Sequence, residues 1–597
     1  MQTRKLTVSL AFSLAVCLCA GRAAAGDGDL RTHSQVITAG DQEFVIEVGG
    51  TDDPENVEIV MENLGDTPVV NPRITVNGLY DWYDAESMAA EITRDCATDE
   101  ERAMAIWQWV HWKRFQRSPH DESSLHPVRA MNGYGYGICG HTSSWIKALC
   151  RAAGLEARVW EIAGHTVTEV FYNDGWHMLD GNVKVFYTAR DNRTVASMEE
   201  LMSDKWLIER TIHPRDPWER GEDTPWRNRE FVRYLITERD NWINTGYDIQ
   251  NRRDYSMAFT LKPGETLTRW WGPELGKWES PDKGALAPER YANGRLVWQP
   301  DLSKIDLLDY CQYEPFHNIT STDRDGRLPE VHVDRPQDEL YDRASRFDLV
   351  IDSPYPIIGS RFWGGIVKHG DMATIGFAGP GWGSGSEVYN FRWGEGAKEL
   401  ELSLDPAVMK NAPLYSYRLV FQFTDSAKKE QSSGLEWFKT VTDLQVSPHS
   451  LPALSLGRNV VRWRDESENP RKVRITCKWR ESSDNSPPGI VSKSDCPASF
   501  ASLMPTLRWK AARDSDKGDS VADYQVMVSL RPDCRWPVSM SLYRNVGGPR
   551  CEWTVPESFL NPGTTYYWRV RARDSRGAVG DWGEIFSFST TGTAGAE

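Results

Sequence analysis

The chain has 597 residues, of which 40% are hydrophobic and 26% charged, a composition typical of folded globular proteins. This length exceeds what one hydrophobic core can organise, so we expect about three or four domains. The net charge of −16 argues against nucleic acid and anionic membrane surfaces as partners, because like charges repel.

The N-terminus has the three parts of a secretory signal peptide. Arg4 and Lys5 are basic, residues 6–20 are mainly apolar, and Ala23–Ala25 offer small residues for cleavage. No later run reaches the ~18 apolar residues that a membrane-spanning helix requires. We therefore expect removal of residues 1–25 and a soluble, exported protein that is secreted, periplasmic or extracellular.

Turn signals and hydrophobic periodicity divide the rest of the chain into regions. Short β-rich runs between Gly, Asp and Pro turns come first, helical spacing follows, and alternation at period two then takes over. The predicted regions are an N-terminal β element at 30–85, an α+β domain at 86–250, a β-sandwich region of one or two domains at 255–480, a linker at 481–495 and a last β domain at 496–592.

Cys139 stands at the predicted start of a helix that runs to Ala153. Leu149, Cys150 and Ala153 recur at helical spacing, and Gly154 suits the position after the last turn. The N-terminal end of a helix favours a thiolate, because the helix dipole and free N–H groups stabilise negative charge. Cys139 is therefore a candidate nucleophile, whereas Cys150 on the apolar face is expected to be inert.

His165 and Asp180 fall on two predicted strands that Asn173-Asp-Gly175 joins. Asn-Asp-Gly between such runs is a strong hairpin signal. His165 opens the first strand and Asp180 closes the second, so antiparallel pairing brings the two ends side by side. A thiol, an imidazole and a carboxylate are the groups of a nucleophile, its general base and the carboxylate that orients the base.

The sequence around these residues resembles the transglutaminase-like superfamily of papain-type folds. The resemblance covers about residues 95–190 and rests on Gly-Ile-Cys139-Gly, a helix ending in ALCRAAGLEAR, Gly-His165 followed by Glu-Val, and DGWHMLD ending at Asp180. It implies that Cys139 is the nucleophile, that His165 is the general base and acid, and that Asp180 orients the imidazole. It implies no metal and no organic cofactor.

The resemblance also implies an oxyanion hole, formed by the backbone N–H of Cys139 and an upstream side chain. Trp112, Tyr134 and Tyr136 are candidates for that side chain. His141, two residues past the nucleophile, departs from the family pattern and is a candidate for perturbing the thiol or acting as a second base.

Three functions are compatible with this resemblance. The favoured one is an exported cysteine protease or amidase that cleaves an amide or peptide bond in a peptide or protein through a thioester. Release of the same acyl-enzyme by an amine would make the chain a protein cross-linking transglutaminase. The third is a binding or assembly protein outside the cell, in which an inactive transglutaminase-like domain serves as a scaffold and the β domains make the contacts.

The last β domain resembles fibronectin type III modules. Trp509 lies in an early strand, and the segment from Leu560 to Tyr566 resembles the tyrosine corner that precedes a late strand of such modules. This resemblance implies a β-sandwich and says little about function.

The 26 tryptophans predict aromatic-rich β cores or exposed platforms for sugar rings. In the β-sandwich region, Trp270, Trp271 and Trp278 are candidates for a carbohydrate or cell-surface contact, although packing is the commoner role of such residues.

Export permits disulfide bonds, and eight cysteines remain once Cys17 and Cys19 are removed. If Cys139 is a working thiol, at least one other cysteine is unpaired. The best predicted pair is Cys534 with Cys551, and the second is Cys477 with Cys496.

Overall fold

The computed structural model describes residues 29–211 and most of 241–591. The gaps in the second range are 247–253, 281–285, 314–318, 321–329, 332–343, 370–371, 381–385, 393, 425–432, 483–484, 493–495 and 549. The predicted signal peptide at 1–25 lies outside the described residues. None of the helices in the described ranges combines the length and apolar character that crossing a membrane requires.

The chain begins with strands and continues into an α+β domain. The first strands are β1 (Leu30–Ile37), β2 (Asp41–Val48), β3 (Asp52–Asn63), β4 (Val69–Val70) and β5 (Arg73–Val76). The α+β domain contains α1 (Ala85–Thr93), α2 (Asp99–Trp112), β6 (Phe115–Gln116), α3 (Pro127–Arg129), β7 (Tyr136–Gly137), α4 (Cys139–Ala152), β8 (Glu156–Ile162), β9 (His165–Tyr172), β10 (Gly175–Leu179), α5 (Met198–Ser203), α6 (Trp206–Glu209) and β11 (Trp242–Ile243).

In the α+β domain, α4 packs on an antiparallel sheet with the strand order β10-β9-β8-β11. Thr98 caps α2 by accepting a hydrogen bond from the Glu101 N–H. Trp107 of α2 and Trp145 of α4 are both buried in the core between these elements. These two helices fix the position of the residues at the head of α4.

The chain after the α+β domain is almost entirely β-structure. Its elements are β12 (Thr260–Leu261), β13 (Glu265–Trp270), β14 (Ala292–Trp298), β15 (Cys311–Tyr313), β16 (Ile319–Thr320), β17 (Glu330–Val331), β18 (Ala344–Lys368), β19 (Ala373–Ala378), β20 (Ser386–Phe391), β21 (Gly396–Ser403), α7 (Asp405–Asn411), β22 (Leu414–Thr424), β23 (Gly434–Val446), β24 (Gly457–Arg464) and β25 (Val473–Ser482).

The strands before and after the α+β domain belong to the same sheets. The largest sheet has twelve strands, with the main order β1-β25-β3-β13-β14-β23-β18-β22-β19-β20, and β15 and β21 also pair with β18. A second sheet has the order β2-β24-β5, and β4 pairs with β12. The N-terminal strands, predicted as an element of their own, thus join the β-sandwich region. We refer to β1–β5 and β12–β25 together as the large β domain.

The last β domain contains β26 (Ser499–Phe500), β27 (Thr506–Arg508), β28 (Val521–Ser529), β29 (Tyr543–Gly547), β30 (Glu552–Thr554), β31 (Thr565–Asp574) and β32 (Phe586–Thr590). Its sheets have the orders β26-β32-β31-β28-β29 and β27-β30. The Tyr566 hydroxyl accepts a hydrogen bond from the Asn561 N–H at 2.7 Å, as in a tyrosine corner. The predicted fold class, an α+β domain followed by β-sandwich structure with a fibronectin type III-like module at the end, is confirmed.

The last β domain packs against the α+β domain rather than standing apart as a spacer. Met527 and Trp536 are buried in the same hydrophobic cluster as the helices of the α+β domain. Arg531 forms an ion pair with Glu101 of α2, and the Asn561 amide donates to the Asp191 carbonyl at 2.6 Å.

Neither predicted disulfide pair is bonded. Cys534 is buried in the cluster that the last β domain shares with the α+β domain, whereas Cys551 packs against the last domain's own core. Cys477 lies on β25 in the large β domain, and Cys496 belongs to the core of the last one. Each predicted pair is therefore divided between two different cores, which spacing along the chain does not reveal.

The strand order predicts that residues 255–480 do not fold as a separate fragment. Without residues 29–77, β25 loses both of its neighbours in the sheet and β13 loses one, which leaves strand edges and apolar side chains exposed. We expect the 255–480 fragment to be insoluble, or to show no cooperative unfolding transition when it is followed by circular dichroism. A fragment of residues 29–482 should fold. A soluble 255–480 fragment that unfolds cooperatively would contradict this interpretation.

Candidate active site

The first turn of α4 presents Cys139. The helix begins at this residue, Ile138 occupies the N-cap, and no side chain caps the first turn. The first N–H groups of a helix have no intrahelical acceptor, so they remain available to a ligand or a negative charge. At the other end, Gly154 takes a left-handed conformation with φ of 82°, as predicted for the residue that ends the helix.

A tight hairpin brings the ends of β9 and β10 together. Asn173 and Asp174 both have positive φ, 47° and 60°, which is the conformation of a two-residue type I′ turn. In the register that this turn sets, Leu179 pairs with Thr168. The next residue, Asp180, therefore follows on the face of the sheet that His165 occupies.

Cys139, His165 and Asp180 are brought together by these elements. Nε2 of His165 lies 2.7 Å from Oδ2 of Asp180, and both side chains are buried. The other carboxylate oxygen, Oδ1, accepts the N–H groups of Asn182 and Val183, each at 2.8 Å. A hydrogen bond also joins the side chains of His165 and Cys139. Because Nε2 is used by Asp180, Nδ1 is the ring nitrogen that serves the thiol.

The charges in this group shift the two pKa values in opposite directions. Burial works to raise the pKa of the Cys139 thiol, but the hydrogen bond and the charge of His165, with a further hydrogen bond from Thr166, lower it below its ordinary value. Burial works to lower the pKa of His165, but the Asp180 carboxylate and the Cys139 sulfur raise it to about 9. Both shifts therefore act toward a thiolate beside an imidazolium, relative to the same two side chains in isolation.

Two side chains, one on α2 and one just after it, hold the backbone around this group. The Trp107 indole N–H donates to the Asp180 carbonyl at 2.9 Å. Arg114, which is buried, donates to the carbonyls of Gly137 at 3.4 Å and Gly181 at 3.0 Å. Arg114 thus connects the segment before Cys139 to the segment after Asp180. The helical spacing in the sequence marks Trp107 as buried, but it contains no signal for Arg114.

Gly137 is required by the close approach of α4. A Cβ atom at this position would lie 2.3 Å from the Trp145 ring and 2.8 Å from the Cβ atom of His141. The Trp145 ring is itself fixed, because its indole N–H donates to the Ser124 carbonyl at 2.7 Å. The segment that leads to Cys139 is therefore closely packed against α4.

The three candidates for the oxyanion side chain have different surroundings. Trp112 is exposed at the end of α2. The Tyr134 hydroxyl donates to Oδ2 of Asp121 at 2.9 Å, so its proton is already used. The Tyr136 hydroxyl accepts a hydrogen bond from the Gln445 amide at 3.1 Å. None of these contacts directs a donor toward the thiol.

His141 and Cys150 differ from Cys139 in their electrostatic state. Burial lowers the pKa of His141 to about 4, so the imidazole is neutral at neutral pH and adds no positive charge beside the thiol. Burial raises the pKa of the Cys150 thiol. Of the two cysteines on α4, Cys139 is therefore the one whose pKa is lowered, as expected for a reactive thiol.

The three tryptophans considered for carbohydrate contact are all half-buried. The Trp270 indole donates to Glu58 at 2.8 Å, Trp271 packs against the core of the large β domain, and the Trp278 ring contacts Tyr291 edge to face at 6.0 Å. Carbohydrate contact at these residues stays a prediction.

Comparison with known proteins yields two family models. The model of the transglutaminase-like superfamily matches residues 86–181, which include all but the first residue of α1 and all of α2, α4 and the β9–β10 hairpin. The model of the Rha78A-like N-terminal immunoglobulin domain matches residues 491–593, the last β domain. The search of curated proteins found no match.

Several solved structures are weakly similar to the chain. The spore cortex lytic enzyme SleM of Clostridium perfringens is 15% identical, with a TM-score of 0.14, over 21% of this chain and 34% of that one. The FN1–FN3 domains of chicken CNTN1 are 12% identical, with a TM-score of 0.15, over 42% of this chain and 63% of that one. The fibronectin(III)-like modules of CbhA from Clostridium thermocellum are 8% identical, with a TM-score of 0.14, over 43% and 89%.

Alkylation of Cys139 by iodoacetamide tests the thiolate–imidazolium pair. At pH 6 we expect Cys139 to react faster than a free model thiol, because its pKa is lowered, and the imidazolium to persist up to about pH 9. His165→Ala removes the hydrogen bond and the charge that do most to lower the pKa of the thiol, while burial remains. The pKa should therefore rise, and each unit of that rise lowers the thiolate fraction about tenfold. Mass-spectrometric mapping of the labelled peptide measures both rates.

Cys96 is the matched control thiol, since it is half-buried and burial raises its pKa. Its slow labelling should be the same in the wild type and in His165→Ala. Equal labelling of Cys139 in the two proteins would contradict the pairing of Cys139 with His165.

Proposed function

We propose, from the presence of a transglutaminase-like domain at 86–181 and an immunoglobulin-like domain near the C-terminus, that this chain is an exported cysteine hydrolase. Its substrate is an amide or peptide bond in a peptide or protein. The observation that supports the proposal most is the hydrogen-bonded series Cys139–His165–Asp180, in which the pKa of the thiol is lowered and that of the imidazole raised. Export rests on the sequence of residues 1–25.

In the first half of the reaction, the Cys139 thiolate attacks the carbonyl carbon and the C=O electron pair moves onto oxygen. The His165 imidazolium gives its Nδ1 proton to the amine nitrogen as the C–N bond breaks, which leaves a thioester. Asp180 keeps its negative charge and holds the ring through Nε2, and its own orientation is fixed by two backbone N–H groups.

In the second half, the neutral imidazole of His165 takes a proton from water as the water oxygen adds to the thioester. The C–S bond then breaks, the carboxylic acid leaves, and the thiolate–imidazolium pair is restored. An amine in place of water would give cross-linking by the same steps, so the identity of the acceptor distinguishes the hydrolase from a transglutaminase.

We assign stabilisation of the oxyanion to the backbone N–H of Cys139 and the side-chain amide of Gln116. In the β6–β7 pair Gln116 lies beside Gly137, two residues before Cys139. Arg114 donates to Oε1 of Gln116 at 2.7 Å, which orients the amide and leaves its Nε2 hydrogens as donors. Two such N–H donors form the usual oxyanion hole of acyl transfer.

The proposal can be tested by incubating the mature chain with protein substrates and with glutamine-containing peptides. Each incubation is run with and without a labelled primary amine. We expect hydrolysis that Cys139→Ala abolishes and that Asp180→Asn reduces by about 10²–10⁴-fold, because the imidazole loses its fixed orientation. Cys96→Ala, which removes a cysteine outside the site, should retain activity. Amine incorporation above hydrolysis would favour the cross-linking function. Labelling of Cys139 no faster than a free thiol would favour a non-catalytic scaffold.

Gln116→Leu separates the oxyanion role from the state of the thiol. We expect the turnover number to fall about 10²-fold, the typical effect of removing one oxyanion donor. Alkylation of Cys139 should keep its rate, because attack on iodoacetamide generates no oxyanion. Equal losses in turnover and alkylation would mean that Gln116 acts on the thiol or on the local fold instead.

A further inference from the structure

A cavity of about 60 Å³ lies between the α+β domain and the large β domain. Its wall on the α+β side includes Trp82, Tyr83 and Asn132, and its wall on the β side includes Leu267, Arg269 and Tyr355. The walls are attached to each other around the cavity, since the Asn132 carbonyl accepts the Ser447 N–H at 2.8 Å. The cavity is therefore a fixed feature of the boundary between the two domains.

Arg269 brings a buried positive charge to this cavity. The residue is 8% exposed and lies on the buried face of β13. Its Nη1 donates to the Tyr355 hydroxyl at 3.1 Å, its Nε has no hydrogen-bond partner, and no carboxylate among the described residues forms an ion pair with it. A buried guanidinium normally faces a carboxylate, because removal of its charge from water costs several kcal/mol.

Even arginines of the large β domain that are only half-buried pair with carboxylates. Arg471 lies 3.1 Å from Asp465, and Arg346 and Arg418 both contact Asp348, at 2.8 and 2.7 Å. Arg269 differs from these three arginines, because it faces an open cavity and each of them faces an acidic side chain.

The other charged groups at the cavity do not neutralise Arg269. Asp81 lines the same cavity, and its nearest cation is Arg73, at 3.9 Å. Arg73 also pairs with Glu466 and stacks on the Tyr83 ring, with its guanidinium carbon 3.8 Å from the ring centroid. Arg269 thus has no ion-pair partner among the described residues, and its guanidinium is available to a negatively charged group.

The size and walls of the cavity define the ligand further. One water-sized probe occupies roughly 10–15 Å³, so about 60 Å³ admits a group of about four or five heavy atoms. A planar guanidinium matches a carboxylate with two parallel N–H···O bonds, and aromatic walls such as Trp82 suit a short apolar stem. We propose that this cavity is a binding site for a carboxylate group on a short aliphatic stem, held by Arg269.

Thermal unfolding of the full mature chain in sodium acetate, against sodium chloride at equal ionic strength, tests the site. A ligand that binds the folded state raises the unfolding temperature with concentration. We expect acetate to raise it above the chloride value in the wild type, and no such difference in Arg269→Met. Without acetate, Arg269→Met should unfold no lower than the wild type, because the substitution removes a buried charge that lacks a partner.

Arg295→Met is the matched control on the neighbouring strand. Arg295 already has a carboxylate partner, with both N–H groups on Asp443 at 2.8 and 2.9 Å, so its substitution should lower the unfolding temperature and keep the acetate effect. Equal unfolding temperatures of the wild type in acetate and chloride would overturn the proposal, as would an acetate effect that survives Arg269→Met. Calorimetric titration with a short peptide, as free acid and as C-terminal amide, then distinguishes a chain end from a small free carboxylate as the source of the group.

Discussion

The buried hydrogen bond between His165 and Asp180 is the interaction on which the rest of the candidate site depends. A carboxylate that is fully removed from water is stable as an anion only if hydrogen bonds replace its hydration. Asp180 receives them from the His165 ring and from two backbone N–H groups of the segment that follows it. That segment is in turn held by Trp107 and Arg114. The electrostatic state of Cys139 therefore rests on a network that extends to α2 and to the residues just after it.

Much of this site could be predicted from the sequence because it depends on local signals. The apolar spacing after Cys139 and the position of Gly154 define a helix, and Asn-Asp-Gly defines a two-residue hairpin whose register is fixed by the turn. Each signal acts within about fifteen residues, and together they specify which ends meet. The catalytic roles of Cys139, His165 and Asp180 remain predictions, since geometry alone does not demonstrate turnover.

The parts that could not be predicted depend on contacts between distant segments. Arg114 has no local pattern, because its acceptors are carbonyls that any residue supplies. In the sequence, β1 and β3 look like part of a small separate element, because alternation of apolar and polar residues specifies a strand but not its neighbours. Their partner β25 follows more than 400 residues later. The two disulfide predictions are wrong for the same reason, because spacing along the chain does not show that Cys534 belongs to the core shared with the α+β domain.

The β1–β25 pairing also determines how the chain would respond to tension along its length. Leu30 and Arg480 lie directly opposite each other, at the same end of the ladder. A pull applied before Leu30 and after Ser482 would therefore open this ladder one residue pair at a time, and β1 is an edge strand with a neighbour on one side only. Everything between β1 and β25, including the α+β domain, lies within the loop that this ladder closes. Force applied at these two points would therefore open the β1–β25 ladder before it stretched the chain between the two strands.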